Sequence, residues 1–434
     1  MPLFILVFFL LGEYFLGRLL TPVNSAVYFR DEIRKMKENG EHADILFLGT
    51  SRIYQSVYPE ILEEKLDVNC VINGGTATQR PDSSYIFLKD LYREVKPGVV
   101  VLGVQWSSLM PEANEAGEIE STLMMYDRLS ASGRMECLLR KFGSSVWFDL
   151  FPMYRYRKEF RFASIRDNLE KWGNYRKNGF IPNTELEHYY HGKGFVYSNS
   201  SKASGNVPIQ DEGEARFSVD DIVPEKLAAI DNIVDFCKKK GIKLYLISPP
   251  MSLMNLYHVE GYQEAVDFYE AYAEKNGLVY HNMNYLKDRE DWLPDEMMAD
   301  YVHLNGEGAA CFTERYAEIL RKDLNGEDTG EYFYRDLEEL KKTVRRVVAI
   351  KAGFTPGDRS VRIEANCLCN DDVTPLYRFE LSTDGGKTFE LLQDWSEEAE
   401  LIFEPAEGKY RFRILAALDP EDPKPAWQVY DQEF

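Results

Sequence analysis

Four consecutive apolar residues, Ile45-Leu46-Phe47-Leu48, run straight into Gly49-Thr50-Ser51-Arg52. A strand without polar alternation is buried on both faces, which is the condition of a parallel sheet covered by helices. Parallel neighbours need crossover connections, so helices must alternate with strands along the chain. The sequence supplies them. Strands are expected at 44–48, 68–72, 99–104, 242–247 and 278–281, and helices at about 57–66, 82–95, 223–240, 259–276 and 306–322. The second of these helices is expected to begin at Asp82 or Ser83, just after Pro81. The order predicts an α/β domain with a parallel sheet between two helical layers.

Gly49-Thr50 breaks the first strand and sets Ser51 at its carboxyl end, the edge at which open α/β sheets bind ligands. Far along the chain lies Asp300-Tyr-Val-His303-Leu-Asn305. A serine hydroxyl is a poor nucleophile until a base takes its proton, and the base needs an orienting carboxylate. Ser51, His303 and Asp300 are the residue types for those three roles. Each also has a plainer use. Serine caps helices well, and aspartate is a common turn residue. Of six histidines, only His303 sits three residues after an aspartate and just before a helix start, with Asn305 as the expected N-cap.

Over roughly residues 42–322 this pattern resembles the SGNH/GDSL hydrolase superfamily. In that family the serine follows the first strand, and Asp-x-x-His closes the catalytic domain. The Gly49-Thr50-Ser51-Arg52 form is similar to the branch found on bacterial cell envelopes. The resemblance implies two more blocks. After the second strand the family has Asn-x-Gly-x-x-Gly, whose last glycine lends a backbone N–H to the oxyanion hole. Here the run is Asn73-Gly-Gly75-Thr-Ala-Thr78-Gln79, with Thr78 in the place of that glycine. After the third strand the family has Gly-x-Asn, where this chain has Gly103-Val-Gln105-Trp106. Gln carries the same amide on a longer stem. Gly75, Thr78 and Gln105 are therefore the expected oxyanion donors, with Arg52, Asn73 and Trp106 as candidate substrate contacts. The resemblance implies a serine esterase or O-acyltransferase acting through an acyl-enzyme on acylated carbohydrate or a cell-wall polymer. It implies no cofactor and no metal. A catalytically inactive scaffold that binds envelope components is the other reading, prompted by Thr78 and Gln105.

The formal charge of −21 over 434 residues argues against nucleic acid as a partner, and less strongly against an anionic polymer substrate, since one polyanion repels another. The six cysteines lack metal-site spacing, and Cys367-Leu-Cys369 would place two thiols on one strand face. The first 22 residues are apolar apart from Glu13 and Arg18 near their end, close to the length that spans a bilayer. They are expected to act as a membrane or signal anchor. Arg30, Arg34 and Lys35 after it favour a cytoplasmic domain by the positive-inside rule, whereas the envelope resemblance implies that the remainder lies outside the cytoplasm. The hydrolase-like domain is expected at 23–325, with an inserted helical subdomain at about 107–215 that holds the aromatic run Met153-Tyr-Arg-Tyr-Arg157.

Residues 326–345 are expected as a linker containing a charged helix at about 334–345, and the pattern then changes to period two. Tyr377, Phe379 and Leu381 alternate with polar residues up to the turn signal Asp384-Gly385-Gly386. Tyr410, Phe412 and Ile414 alternate after Glu407-Gly408. Residues 346–434 are therefore expected to form a β-sandwich, similar to immunoglobulin-like or fibronectin-like modules.

Overall fold

Residues 7, 8, 10–12, 15, 19–111, 122, 124–141, 156, 161–201, 215–370, 372–422 and 424–434 are described by a computed structural model of the chain. They divide into two compact units. The first comprises residues 1–104, 108–198 and 222–246, and the second 105–107, 199–221 and 247–434.

The first unit opens with α1 (Ser25–Asn39), whose Phe29 and Ile33 are buried. Strand β1 (Ile45–Leu48) is buried throughout. It is followed by the short α2 (Ser51–Tyr54), α3 (Pro59–Leu66), β2 (Val71–Asn73), α4 (Pro81–Val95) and β3 (Val99–Gly103). Helix α4 starts on Pro81 itself, where the missing N–H costs nothing. Then come α5 (Ala131–Lys141), α6 (Phe162–Asn178) and a hairpin of β4 (His188–Gly192) and β5 (Phe195–Ser198). The insertion thus holds a hairpin as well as helices. Of the aromatic run 153–157 only Tyr156 is among the described residues. Helix α7 (Pro224–Lys240) buries Ile230, Ile233 and Val234 and leads into β6 (Lys243–Ser248).

The second unit carries α8 (Leu253–His258), α9 (Tyr262–Asn276), β7 (Val279–Asn282), the short α10 (Arg289–Trp292), α11 (Gly306–Leu324) and α12 (Leu337–Thr343). The helix expected over 259–276 begins at Tyr262, and the short α8, not expected from the sequence, precedes it. The Glu260 N–H donates to the Ala215 carbonyl, and the Glu260 carbonyl accepts from Phe217 N–H, both at 2.9 Å. Those bonds replace helical ones ahead of Tyr262.

The sheet runs β2-β1-β3-β6-β7. Strand β1 is parallel to both neighbours, with Leu46 level with Ile72 and Val100. This is the α/β parallel-sheet architecture expected.

The C-terminal region is all β: β8 (Ala349–Pro356), β9 (Val361–Leu368), β10 (Leu376–Ser382), β11 (Glu390–Ser396), β12 (Glu400–Phe403), β13 (Lys409–Ala417) and β14 (Ala426–Glu433). They form a four-stranded sheet, β11-β10-β13-β14, and a three-stranded sheet, β12-β9-β8. Ile350, Val361 and Ile363 from one sheet meet Phe379, Leu381, Phe412 and Ile414 from the other in a single core. That core makes the region a β-sandwich. A further cluster joins Val348 and Leu368 to Met251 of the loop after β6 and to Leu256, Tyr262 and Leu340 of α8, α9 and α12. Arg346 adds ion pairs to Asp295 at 2.9 Å and Glu290 at 3.2 Å. All six cysteines are free thiols. Among the described residues, no helix is long and apolar enough to cross a membrane.

Candidate active site

Ser51 is the first residue of α2, at the carboxyl end of β1. Thr50, not Ser51, caps this helix, its hydroxyl accepting from Arg52 N–H at 3.3 Å. The turn is tight because two glycines make room for Ile53. A Cβ on Gly49 would stand 2.7 Å from Ile53 Cγ1, and one on Gly103 only 2.5 Å from it. Gly49 also has φ of 144°, which side-chain-bearing residues rarely adopt.

The loop after β2 is stitched to this turn. Gly74 N–H donates to Phe47 O at 2.7 Å and Thr76 N–H to Gly49 O at 3.0 Å. Gln79 uses both ends of its amide. Its Oε1 accepts from Gly49 N–H at 2.9 Å and Ser84 Oγ at 2.8 Å, and its Nε2 donates to Gly74 O at 3.0 Å and Thr76 Oγ1 at 3.1 Å. Asn73 is fully buried. Its Nδ2 donates to the Ile53 and Val57 carbonyls, each at 2.9 Å, and its Oδ1 accepts Gly75 N–H at 3.1 Å. Asn73 is thus a brace for the serine turn, not an exposed contact for substrate.

The same bond alters the expectation for Gly75. Its N–H is committed to Asn73, so in this geometry it is not offered to a ligand. Its lack of a side chain is needed for a different reason: a Cβ would lie 2.9 Å from Tyr54 N. Its carbonyl accepts from Arg128 Nη1 at 2.8 Å. Arg128 is fully buried, and burial depresses its pKa. Thr78 is exposed and holds φ of 48°, a left-handed conformation unusual for a β-branched residue. Its N–H donates to no group among the described residues. Arg52 is buried at 5% exposure, so it is not a surface charge.

In the second unit, Asp300 and His303 sit in a tight reversal between Met298 and Leu304, which pair as an antiparallel bridge. His303 Nδ1 lies 2.7 Å from Asp300 Oδ2. Asp300 Oδ1 accepts the N–H groups of Val302 and His303 at 2.8 and 2.9 Å. Burial raises the Asp300 carboxyl. The His303 hydrogen bond and charge, with the two backbone donors, outweigh burial and hold it below its ordinary pKa. An ionised carboxylate only accepts, so Nδ1 carries the proton and Nε2 is left as the basic nitrogen. Asn305 caps α11 as expected, its Oδ1 accepting Gly308 N–H at 2.8 Å.

The reversal is anchored through the Tyr301 carbonyl, which accepts from Ser252 N–H at 3.1 Å and Asn255 Nδ2 at 2.8 Å. Behind it, the buried Arg289 donates to the Asn284 and Met251 carbonyls at 3.2 and 2.8 Å. Gln105 Nε2 donates to Ser107 Oγ at 2.9 Å, and the Gln105 backbone carbonyl accepts from Tyr269 OH at 3.2 Å. Trp106 is half-buried against the cluster of Met251, Leu256 and Tyr262.

Gln79, Arg128, Ser252 and Asn255 were not found from sequence. Gln79 alone had a signal, as the residue that closes the Asn73–Gln79 run. The others act over separations that no local pattern reports. Among the described residues, no group of His, Cys, Asp and Glu has a metal-holding arrangement.

No family model matches the chain, and no curated protein does. Among solved structures it is similar to a Desulfitobacterium hafniense DCB-2 protein provisionally assigned as lipolytic and of the G-D-S-L family. The two share 11% identity over 63% of this chain and 97% of that one, with a TM-score of 0.29. It is also similar to a Bacteroides fragilis NCTC 9343 protein provisionally assigned as an acylhydrolase, at 11% identity over 68% and 95%, with a TM-score of 0.31. Domains d3–d4 of the rat CD45 extracellular region match at 13% identity over 20% of this chain and about half, 48%, of that one, with a TM-score of 0.16.

Proposed function

We propose that the protein is a serine esterase or O-acyltransferase of the cell envelope. Ser51 is the nucleophile, His303 the general base and Asp300 the residue that orients it. The observation that carries this reading is the Asp300–His303 pair at 2.7 Å, with the carboxylate fixed by two backbone N–H groups. That arrangement selects one imidazole tautomer and stabilises the imidazolium formed when the serine proton is taken. In the reaction, Ser51 Oγ attacks an ester carbonyl and its proton passes to His303 Nε2. The tetrahedral oxyanion collapses with loss of the alcohol, which receives that proton. Water or a sugar hydroxyl then takes the acyl group from the serine. Thr78 N–H serves as an oxyanion donor because it alone of the two loop candidates is uncommitted, with Gln105 in support.

The substrate is acylated carbohydrate or cell-wall polymer, and the acyl group is acetyl. The apolar N-terminal stretch anchors the chain on the outer side of a membrane. Its described residues support this: Val7, Phe8, Leu10, Leu11 and Phe15 all expose apolar side chains.

Labelling the full chain with a fluorophosphonate, beside Ser51→Ala and His303→Ala, tests the chemistry. Stoichiometric labelling of wild type that is absent from Ser51→Ala supports the esterase. Absence of labelling and of acyl turnover in wild type returns the chain to the reading of a non-catalytic binding scaffold.

A further inference from the structure

The chain carries an excess of 21 negative charges, yet one cleft of the first unit is lined by cations. It has a volume of about 670 Å³ and lies between α1, α6 and the segment around Asp127 and Arg134. Arg30, Arg34, Lys35, Arg134 and Arg176 line it, against Asp31 and Asp127 as the acids. Arg30 is held by Glu94 at 2.6 and 3.2 Å, and Asp31 is shared by Arg34 and Lys35. Arg134 and Arg176 have no carboxylate partner among the described residues. Arg134 donates to the Asp127 carbonyl at 2.9 Å, and Arg176 lies over the Trp172 ring at 5.8 Å. Two N–H donors of the wall, Arg134 Nε and Trp172 Nε1, meet no acceptor. Donors in this number, on planar guanidinium forks, suit an oxyanion with several acceptor oxygens, as in a phosphate ester.

The position of the cleft says where such a group would come from. Thr21 forms part of its wall and stands at the end of the apolar N-terminal stretch. Asn168 of α6 fastens the chain at this exit. Its Nδ2 donates to the Leu19 and Thr21 carbonyls, both at 2.7 Å, and its Oδ1 accepts Val23 N–H at 3.0 Å. On the same helix Phe162 is 94% exposed and Leu169 50%. Helix α6 thus presents protruding apolar side chains early and Lys171, Arg176 and Lys177 late. Apolar groups that enter acyl chains, beside cations at headgroup depth, are the makings of an interfacial surface.

We propose that this cleft binds the headgroup phosphate of an anionic phospholipid, and so fixes the orientation of the first unit against the membrane. The site is separate from Ser51 and His303. It rests on the membrane-anchor part of the proposed function and not on its chemistry.

The test uses the full chain and water-soluble dioctanoyl lipids, read by the emission change of Trp172 relative to a Trp172→Phe control. Dioctanoyl phosphatidylglycerol should bind saturably and at least about tenfold tighter than dioctanoyl phosphatidylcholine or glycerol phosphate. Arg34→Glu with Arg176→Glu should reverse that preference while the melting temperature and fluorophosphonate labelling stay unchanged. Should the double variant melt early, salt provides the second arm. Raising NaCl from about 50 to about 500 mM should weaken phosphatidylglycerol binding to wild type about tenfold. Equal binding of the two lipids, or binding indifferent to both salt and substitution, overturns the proposal. Glycerol phosphate binding as tightly as phosphatidylglycerol also overturns it, assigning the cleft to a soluble phosphate.

Discussion

Asn73 Oδ1 accepts the N–H of Gly75 at 3.1 Å, while the other end of the same amide holds two carbonyls of the serine turn. Asn73→Ala removes the side-chain partner of the buried Val57 carbonyl and of the Gly75 N–H, while the Ile53 carbonyl keeps the Ser56 and Val57 N–H groups. Each group so stranded costs about 1–3 kcal/mol, so urea denaturation should show a loss of at least about 2 kcal/mol. A loss under about 0.5 kcal/mol would mean that water reaches the loop and the brace is dispensable.

Thr78 keeps a left-handed backbone at φ of 48°. Thr78→Gly removes that strain and keeps the N–H. It should raise stability by about 0.5–1 kcal/mol, net of the extra chain entropy of glycine, with acyl turnover close to wild type. An ester in place of the 77–78 amide, made by semisynthesis, removes the donor without imposing the φ of about −65° that proline would require. The rate should fall by about 10²–10³, as expected for one lost oxyanion contact. Equal turnover in the two variants, at equal folded fraction, would remove Thr78 from the oxyanion hole.

The Asp300 carboxyl has its pKa lowered on folding, because the His303 contact and backbone donors outweigh burial. A depressed carboxylate stabilises the fold at pH values above its unfolded pKa. That contribution is lost as pH falls through the lower, folded value. Wild type should therefore exceed Asp300→Asn in stability by a constant margin near neutrality, with the gap closing in the acid range. Paired denaturation curves across pH would measure it, and a gap that widens on acidification would contradict the assignment. Turnover by Asp300→Asn should fall by roughly 10²–10⁴, since the amide no longer holds Nδ1–H.

Ser51→Ala and His303→Ala should each cost turnover by roughly 10⁴ or more, and the double variant should be little worse than either alone. Groups that act as one unit fail together. Additive losses in single-turnover kinetics would show that the two residues act independently.

The scaffold was the readable part of this chain. Ile45–Leu48 announces a strand buried on both faces because nothing polar interrupts it, and the parallel pairing of β1 with both neighbours fits the alternation of strands and helices. Asn305 was readable as a cap because capping is local. The fate of Gly75 was not readable, since whether a backbone N–H faces a ligand or a neighbouring amide depends on three-dimensional closure of the loop. Arg128 was hidden for the same reason. It reaches the Gly75 carbonyl from 53 positions away. The start of α9 at Tyr262 rather than at 259 was hidden because Glu260 spends its backbone groups on Ala215 and Phe217, more than forty residues upstream.

Gln79 ties four partners at once, two on each end of its amide. The turn that carries Ser51 and the loop that carries Thr78 are therefore one mechanical body, with the length of a single glutamine as its gauge. Selection for a new substrate cannot adjust the spacing between those two residues gradually, because any change at position 79 loosens both loops together. A change of specificity is then expected from segments outside that clamp, and not from Arg128 or Lys193 of the insertion, which bond the Gly75 carbonyl and the Asn73 N–H.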